Sequence, residues 1–462
     1  MKIINYDNKI DEINRENIIF HGCEEKDFLE IHWEILDGCN YKCSYCPVKD
    51  VLDNNFTPIE KLQHAVDEVL KIDKKFYNFI IYGGEPTFYP YLYELIEYIY
   101  SFDNKNITIQ LITNASKNLD YFKNLISHIK KEFFNMIISI HIEYANIEHI
   151  KEVAKLFYKN NLRILLKLMI IPDYKEKAYK YFDELIELRK YSYFDLELSA
   201  VQYSYSDPWI YKKYDSELLK WLNDSNQLIE NTKLENLDFI NKDLHPDVYF
   251  SIKENDIIRD ISINYILSNR LENDFLDFRG FYCCAGINMI HINKDGNYKA
   301  AYCDTYKFIG NLYEEEINLY KLTNLKRCNY PYSCSCTSNF LNMKHRDIYN
   351  AKKYVLEYRK KHLNLFISSL LNTFDDMDFD DKIELLNNRI DKIYSNELEM
   401  NTNINNLNNE LLHFNRNMNT IINTISWWIP VKKWRENFRN KFRPDQIRPD
   451  QTRPDQTRPD QT

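Results

Sequence analysis

Glycine is scarce in this chain of 462 residues, which contains only eight. Six of the eight lie in or beside the motifs described below: Gly38, Gly83, Gly84, Gly280, Gly286 and Gly296. Glycine is needed where the backbone turns sharply or approaches another group closely. Because glycine is otherwise rare in this chain, the positions of these six glycines indicate candidate sites.

Long apolar runs are also missing, and none approaches the ~20 residues that span a bilayer. The first 17 residues are charged throughout and lack the apolar centre of a signal peptide. A net charge of −9 disfavours a general attraction to nucleic acid. The ten cysteines are too sparse for a secreted disulfide scaffold, and their clustering favours metal ligation in a reducing compartment. We therefore expect a cytoplasmic protein without a nucleic-acid partner.

Six apolar runs alternate with helical patterns between residues 28 and 205. They read FLEIHWEIL, FYNFIIYGG, NITIQLITNA, FNMIISIHIE, LRILLKLMII and FDLELSAVQ. This alternation predicts an α/β fold of parallel β/α units, arranged as a partial barrel or as a doubly wound sheet.

Polar residues interrupt several of these runs, at every second position in the first and fourth, whereas buried parallel strands are usually apolar throughout. The interrupting residues are Glu30, His32, Glu34, Ser139, His141, Glu143, Lys167 and Glu197. The pattern predicts an inner face that lines a wet cavity. A solvent-exposed edge of the sheet is the alternative.

Three cysteines, Cys39, Cys43 and Cys46, directly follow the first strand run, where β/α folds place their chemistry. A structural zinc site takes four ligands, commonly in paired C-x2-C units. The spacing here is asymmetric, and the next cysteine lies more than two hundred residues further on. Three thiolates instead suit a four-iron cluster with one iron open to a small molecule.

The stretch CNYKCSYC resembles the signature of the radical S-adenosylmethionine (radical SAM) enzymes, and YGGEPT resembles their GGEP-type motif. The resemblance covers roughly residues 28–205 and implies a partial (β/α)6 TIM-like barrel. It implies a [4Fe–4S] cluster on Cys39, Cys43 and Cys46 that cleaves S-adenosylmethionine reductively. The resulting 5′-deoxyadenosyl radical would abstract hydrogen from a substrate. A reducing donor such as flavodoxin or ferredoxin is implied as a partner.

The resemblance also implies a set of cofactor-binding residues: Tyr45, Gly83, Gly84, Glu85, Pro86, Asn114, Ser139 and Lys167. Tyr45 matches the aromatic residue near the adenine. The Gly-Gly-Glu stretch matches the groups that contact the methionine amino group, and the proline shapes the turn. Asn114 falls at a TNG-like turn. Ser139 and Lys167 are inward-facing candidates for ribose or carboxylate contacts, and generic barrel lining is their alternative.

Residues 279–345 resemble the SPASM or Twitch extension that holds auxiliary clusters in many radical SAM enzymes. Within FRGFYCCAGINMIHINKDGNYKAAYCD, Asp295-Gly296 predicts the turn of a hairpin. The later run RCNYPYSCSC is short of the ligands that two clusters need, so one auxiliary [4Fe–4S] cluster is expected. The preferred ligands are Cys283, Cys303, Cys334 and Cys336, with Cys328 and Cys284 in reserve. A structural zinc ion is the alternative.

The other segments are predicted as an N-terminal segment (1–27), a helical insertion (206–278), a helical connector (346–378), a coiled coil (379–428), a basic aromatic segment (429–442) and a disordered RPDQT repeat tail (443–462). The heptads favour a homo-oligomer, although a long helix packed on its own domain fits too. The basic aromatic segment favours peripheral contact with the inner membrane surface, with a docking site for a partner protein as the alternative.

Two substrate classes compete, a peptide or protein and a small molecule. The C-terminal stretch resembles the appendage of some bacterial surface-glycan glycosyltransferases, which favours a sugar or surface-glycan precursor. Only about 27 residues precede the first strand run, where a peptide-recognition domain would be expected. A third hypothesis is an oligomeric iron–sulfur scaffold or electron carrier, which would not need the GGEP-type motif.

Overall fold

The computed structural model describes residues 15–23, 27–46, 55–201, 214–232, 239–241, 249–254, 257–262, 277–303, 305–330, 334 and 341–375. The described residues up to 374 belong to one compact unit. The predicted coiled coil, basic aromatic segment and repeat tail lie outside the described residues. In the part of the chain that the structure describes, no helix is long and apolar enough to cross a membrane.

The strands, in chain order, are β1 (Ile18–Gly22), β2 (Phe28–Leu36), β3 (Phe76–Gly83), β4 (Asn106–Thr113), β5 (Phe134–His141), β6 (Ile164–Ile170), β7 (Asp195–Ala200), β8 (Tyr249–Glu254), β9 (Ile257–Ser262), β10 (Tyr282–Cys283), β11 (Met289–Ile292), β12 (Asn297–Lys299), β13 (Gly310–Asn311), β14 (Lys326–Arg327) and β15 (Lys344–His345). The α-helices are α1 (Ile59–Leu70), α2 (Leu92–Tyr100), α3 (Leu119–His128), α4 (Ile147–Lys159), α5 (Lys175–Arg189), α6 (Ser216–Asn231), α7 (Leu319–Leu322), α8 (Ile348–Lys361) and α9 (Leu363–Asp375).

Strands β2 to β7 pair in parallel and lie side by side in their order along the chain. Each of the six predicted strand runs contains one of them, so the prediction of parallel β/α units is confirmed. A doubly wound sheet reverses its strand order at a switch point. These six strands show no reversal, which favours the partial barrel over the doubly wound alternative.

The two faces of this sheet differ in character. On β5 and β6 the residues of one face, such as Ile138 and Leu166, are completely buried, and they belong to the same hydrophobic core as Leu62 on α1. The alternate residues, such as Ser139 and Lys167, are half-buried. The burial pattern therefore confirms an apolar outer face under the helices and a polar face on the opposite side.

Strand β11 extends the same sheet, pairing in parallel with β2 so that His291 lies beside His32. It forms the predicted hairpin with β12, and Gly296 has the positive φ of +85° that favours glycine. A Cβ at this position would come within 2.4 Å of the Tyr313 ring. Part of residues 279–345, the strands β11 to β13, thus joins the main sheet, and β11 covers the free edge of β2.

The predicted helical insertion at 206–278 is only partly correct. Helix α6 lies there, but β8 and β9 form an antiparallel pair. They join a six-stranded sheet in the order β14-β10-β15-β1-β8-β9, so the N-terminal segment contributes a strand too. Each of β8 and β9 is only six residues long and carries two charged residues, which obscures its strand pattern. The predicted helical connector is two helices, α8 and α9, with His362 between them.

Candidate functional site

The cysteine loop, residues 37–46, follows β2 and is fixed by the turn that ends β3. The backbone N–H of Gly84 donates to the carbonyl oxygen of Leu36 at 2.7 Å. The backbone N–H of Glu85 donates to the carbonyl oxygen of Gly38 at 3.0 Å. These two bonds join the GGEP-type motif directly to the segment that precedes Cys39.

The two glycines of this turn are required by close backbone packing. A Cβ at Gly83, where φ is +141°, would lie 2.2 Å from the carbonyl oxygen of Leu36. A Cβ at Gly84 would lie 2.1 Å from the carbonyl oxygen of Gly38. Atoms cannot approach so closely, so any side chain here would displace the cysteine loop. The structure places both glycines in contact with this loop, and their predicted role in binding the cofactor stays a prediction.

The three thiols lie within electrostatic reach of one another. Cys43 is buried, and Cys39 and Cys46 are half-buried. Burial, followed by the charges of Glu143 and the other two cysteines, raises the pKa of Cys43 to about 12. A thiol with this pKa is protonated at neutral pH, but a coordinating metal deprotonates it outright. Three thiols on one loop fit the predicted cluster.

Glu85 is 1% exposed, and its carboxylate accepts four hydrogen bonds. Oε1 accepts from the backbone N–H and hydroxyl of Thr87 at 3.2 and 2.6 Å, and from the hydroxyl of Thr113 at 2.5 Å. Oε2 accepts from the backbone N–H of Asn114 at 2.6 Å. Burial raises the pKa of this carboxyl, and the four bonds oppose that rise. The carboxylate thus ties the end of β3 to the end of β4, and its contact with methionine stays a prediction.

Asn114 directly follows β4 and supports the cysteine loop. Its amide nitrogen donates to the side-chain oxygen of Asn40 at 2.9 Å and lies 3.8 Å from the sulfur of Cys39. Its own side-chain oxygen accepts from the backbone N–H of Ser116 at 2.9 Å. Pro86 begins a short 3-10 helix at Pro86–Phe88. The end of β4 therefore holds the loop from a second side.

The strand β5 ends against the other half of the cysteine loop. Tyr45 is buried, its hydroxyl is hydrogen-bonded to Nδ1 of His141, and the two rings stack with centroids 5.9 Å apart. Burial lowers the pKa of His141 to about 4, so the imidazole is neutral at physiological pH. The position of His141 on the inner face was predicted, but its contact with the loop was not.

Ser139 and Lys167 are direct neighbours across β5 and β6. The ammonium nitrogen of Lys167 lies 2.9 Å from a carboxylate oxygen of Glu197 on β7. This ion pair lies on the half-buried inner face. The structure therefore groups Ser139 with a charged pair, and it adds Glu197 to the residues available to a ligand there.

A cluster of polar and aromatic side chains, which was not predicted from the sequence, lies on the inner face of β2, β3 and β11. The carboxylate of Glu34 accepts from the hydroxyl of Tyr82 and lies near Nε2 of His291, both at 3.3 Å. His291 packs on the Tyr302 ring with centroids 4.3 Å apart, and the hydroxyl of Tyr302 lies 3.3 Å from Nδ1 of His32. His291 and Tyr302 belong to residues 279–345, so only tertiary structure brings them to the barrel.

The second cysteine site is a pocket of about 410 Å³, a volume that includes space open to solvent. It is lined by the cysteines Cys283, Cys303, Cys328 and Cys334. Cys284 instead points its sulfur toward the carbonyl oxygen of Ala351, at 3.8 Å. Cys336 lies outside the described residues. The structure thus brings Cys328, a reserve choice, together with three of the four preferred cysteines.

The surroundings of this pocket suit thiolate ligands. Burial raises the pKa of Cys283 to about 11, and the charge of Lys344, which lines the same pocket, opposes that rise. Among the described residues, no three His, Cys, Asp or Glu side chains are arranged around a single metal ion. The four thiols surround a space, which suits a cluster whose four irons each take one cysteine.

Comparison with known proteins identifies one domain of the chain. Residues 33–186 match the family model described as the radical SAM superfamily. These residues, which run from β2 to within α5, form a radical SAM domain, and the chain is an enzyme. No curated protein sequence matches the chain significantly.

Several solved structures show distant similarity to the chain. Native anSMEcpe with bound AdoMet is 18% identical, with 73% of this chain and 99% of that chain covered and a TM-score of 0.41. SuiB from Streptococcus suis, bound to S-adenosylmethionine, is 17% identical, with 64% and 66% covered and a TM-score of 0.43. BtrN in complex with AdoMet and 2-DOIA is 12% identical, with 63% and 80% covered and a TM-score of 0.30. Likeness at this level does not define a substrate.

Proposed function

We propose that this enzyme cleaves S-adenosylmethionine reductively at a cluster on Cys39, Cys43 and Cys46. A [4Fe–4S] cluster there would supply the electron that breaks the sulfonium bond, giving methionine and a 5′-deoxyadenosyl radical that abstracts hydrogen from substrate. The observation that carries the proposal is the pair of backbone bonds from Gly84 and Glu85 to the cysteine loop. They join the two radical SAM motifs into one site at the carboxyl ends of the strands.

The chain's own residues hold this site in place. The GGEP-type turn and Asn114 support the loop on the side of β3 and β4, and Tyr45 packs against His141 on the side of β5. Rigid support of this kind keeps reacting groups in a productive geometry. We propose that Tyr45 contacts the adenine, that Gly83 and Gly84 contact the methionine end, and that Ser139 and Lys167 contact the ribose or carboxylate.

We propose one auxiliary [4Fe–4S] cluster on Cys283, Cys303, Cys328 and Cys334. Its support is the shared pocket of the four thiols and the buried ammonium of Lys344 at its wall. We leave Cys284 out of this set because its sulfur points toward the carbonyl oxygen of Ala351. Zinc quantification beside iron quantification separates this proposal from a structural zinc ion.

We propose that the substrate is a polar small molecule, with a sugar or surface-glycan precursor as the class. The inner face offers carboxylate, imidazole and phenol groups close together, from Glu34, Tyr82, His291 and Tyr302. Such groups hydrogen-bond hydroxyls, and aromatic faces pack against the apolar faces of sugar rings. A peptide substrate is the competing class, and no contact among the described residues favours it.

The test is the formation of 5′-deoxyadenosine by the anaerobically reconstituted protein with dithionite and S-adenosylmethionine. We expect product from the native chain and none from the variant with Cys39→Ala, Cys43→Ala and Cys46→Ala. Equal product from both proteins would contradict the proposed site. If the native protein holds iron but forms no product, binding of S-adenosylmethionine separates a substrate-triggered enzyme from an electron carrier.

The substrate class is tested by adding nucleotide sugars and unmodified peptides to the same assay. We expect a nucleotide sugar to raise the rate of 5′-deoxyadenosine formation and the peptides to leave it unchanged. Stimulation by a peptide alone would overturn the sugar proposal and leave the radical SAM activity intact.

A further inference from the structure

The end of β5 continues into a turn that holds the middle of the cysteine loop. Glu143 accepts a hydrogen bond from the backbone N–H of Ser44 through Oε2 at 2.8 Å. The hydroxyl of the next residue, Tyr144, donates to the carbonyl oxygen of Lys42 at 3.1 Å. Two consecutive side chains thus form hydrogen bonds with the loop on both sides of Cys43.

The turn that carries these side chains is itself fixed. The backbone N–H groups of Tyr144 and Ala145 donate to the carbonyl oxygen of His141 at 3.0 and 2.8 Å. The side chain of Asn146 then caps α4 by accepting from the backbone N–H of Glu148 at 3.1 Å. The position of the Glu143 carboxylate therefore follows from the sheet and the helix, and not from a mobile loop.

The contact with the loop brings a negative charge to the thiols. Ser44 is the neighbour of Cys43, so its hydrogen bond holds the Glu143 carboxylate beside the segment that carries this thiol. Reduction adds an electron to a cluster, and net charge and hydrogen bonding are among the features that set its potential. A carboxylate fixed beside the cluster opposes the added electron, because like charges repel.

Resting on the proposed cluster, we propose that Glu143 is a positioning residue of the cysteine loop whose charge lowers the reduction potential of the cluster. Tyr144 shares the positioning through Lys42, and it contributes no charge. The electron in this step comes from an external donor, which is oxidised as the cluster is reduced. A lower potential makes the reduced cluster a stronger donor to the sulfonium of S-adenosylmethionine.

The experiment is a redox titration of the reconstituted full chain, followed by electron paramagnetic resonance, with dithionite and mediators. A variant lacking Cys303 and Cys328 removes the auxiliary signal and serves as the parent. Glu143→Gln keeps an oxygen that can accept from Ser44, and it removes the charge. We expect it to retain iron and to titrate at a higher potential than the parent.

Matched variants separate charge from geometry. Glu148→Gln makes the same charge change on α4, at an exposed carboxylate paired with Lys151, and we expect it to leave the potential unchanged. Tyr144→Phe removes the hydrogen bond to Lys42 without changing the charge. We expect its reduction potential to equal that of the parent and its loop to bind iron less tightly. Loss of a group that orients a metal ligand typically costs about 10–100-fold in metal affinity.

Two results would overturn the inference. One is an unchanged potential in Glu143→Gln, and the other is an equal upward shift in Glu148→Gln or Tyr144→Phe. In either case the parent would still hold a cluster whose spectrum responds to S-adenosylmethionine. A parent without that cluster would instead contradict the proposed function.

Discussion

The two cysteine sites are built in different ways. The three cysteines of the first site lie within eight residues, Cys39 to Cys46, of the cysteine loop that follows β2. The second takes four cysteines from separate positions between Cys283 and Cys334. Local spacing therefore defines the first site, whereas only the tertiary fold selects the members of the second.

Their electrostatic surroundings differ as well. Glu143 is the strongest charge that raises the pKa of the thiol at Cys43. At Cys283 the strongest charge is that of Lys344, and it acts in the opposite direction. For the two proposed clusters, we expect an electron to be harder to add at the first site than at the second. It follows from side chains that belong to different strands and not from the cysteine spacing.

The largest predicted effect is the loss of activity when the cysteines of the first site are replaced. Replacement of Cys39, Cys43 and Cys46 by alanine removes the ligands of the open iron, so we expect complete loss of 5′-deoxyadenosine formation with the second site intact. Product quantification by liquid chromatography checks this. Residual product at more than background would show that the first loop does not hold the active cluster.

Replacement of cysteines at the second site is predicted to lower the iron content of the protein and to leave the cleavage of S-adenosylmethionine intact. The double variant Cys303→Ala and Cys328→Ala removes two of the four thiols that line the pocket. We expect it to lose about half of the bound iron, since each proposed cluster holds four irons. It should still cleave S-adenosylmethionine. An unchanged iron content would mean that these thiols are not ligands.

The turn at Gly84 tests how strictly the first loop is packed. Gly84→Ala places a Cβ at 2.1 Å from the carbonyl oxygen of Gly38, so the loop or the turn has to move. Overpacking of this kind costs about 1–3 kcal/mol of stability. A lowered melting temperature and weaker cluster binding are expected. Gly280→Ala tests backbone strain without overlap, because its φ of +91° disfavours a side chain but its Cβ would meet only an arginine side chain at 3.8 Å.

The pH dependence of stability gives a smaller effect near neutral pH. Burial lowers the pKa of His141 to about 4 in the folded chain, against about 6.5 in the unfolded chain. The unfolded state thus binds more protons between these values, and stability falls as the pH falls through that range. The full loss corresponds to about 3 kcal/mol. We expect the melting temperature to fall more between pH 7 and 5 in the native protein than in His141→Asn.

The smallest effect is predicted at the surface contact between α1 and residues 279–345. Lys61 and Glu314 form an ion pair at 2.9 Å, and their side chains are 43% and 64% exposed. Exposed pairs of this kind contribute little, because water screens them. Lys61→Ala should leave the melting temperature and the iron content unchanged. A clear loss of either would show that this contact couples the two regions.

The strand runs around the first site could be predicted because their apolar patterns are local, and the cluster that this site would hold stays a prediction. Cys39, Cys43 and Cys46 share one loop, and all six strand runs around them are confirmed. The pairing of β11 with β2 and the polar cluster around His291 and Glu34 were not predicted, because sheet pairing across some 250 residues leaves no local pattern. The choice of Cys283 over Cys284 was also left open. Cys283 ends β10 and lines the pocket, whereas Cys284 follows the strand and points toward Ala351, and only the fold shows this difference.

The most direct test of two separate clusters is the electron paramagnetic resonance spectrum of the reduced protein with and without S-adenosylmethionine. We would record it for the Cys39, Cys43 and Cys46 alanine variant and for the Cys303 and Cys328 alanine variant. The account predicts a spectrum that changes with S-adenosylmethionine only in the second variant, which keeps the first loop. A response in the first variant, or no response in the second, would contradict it.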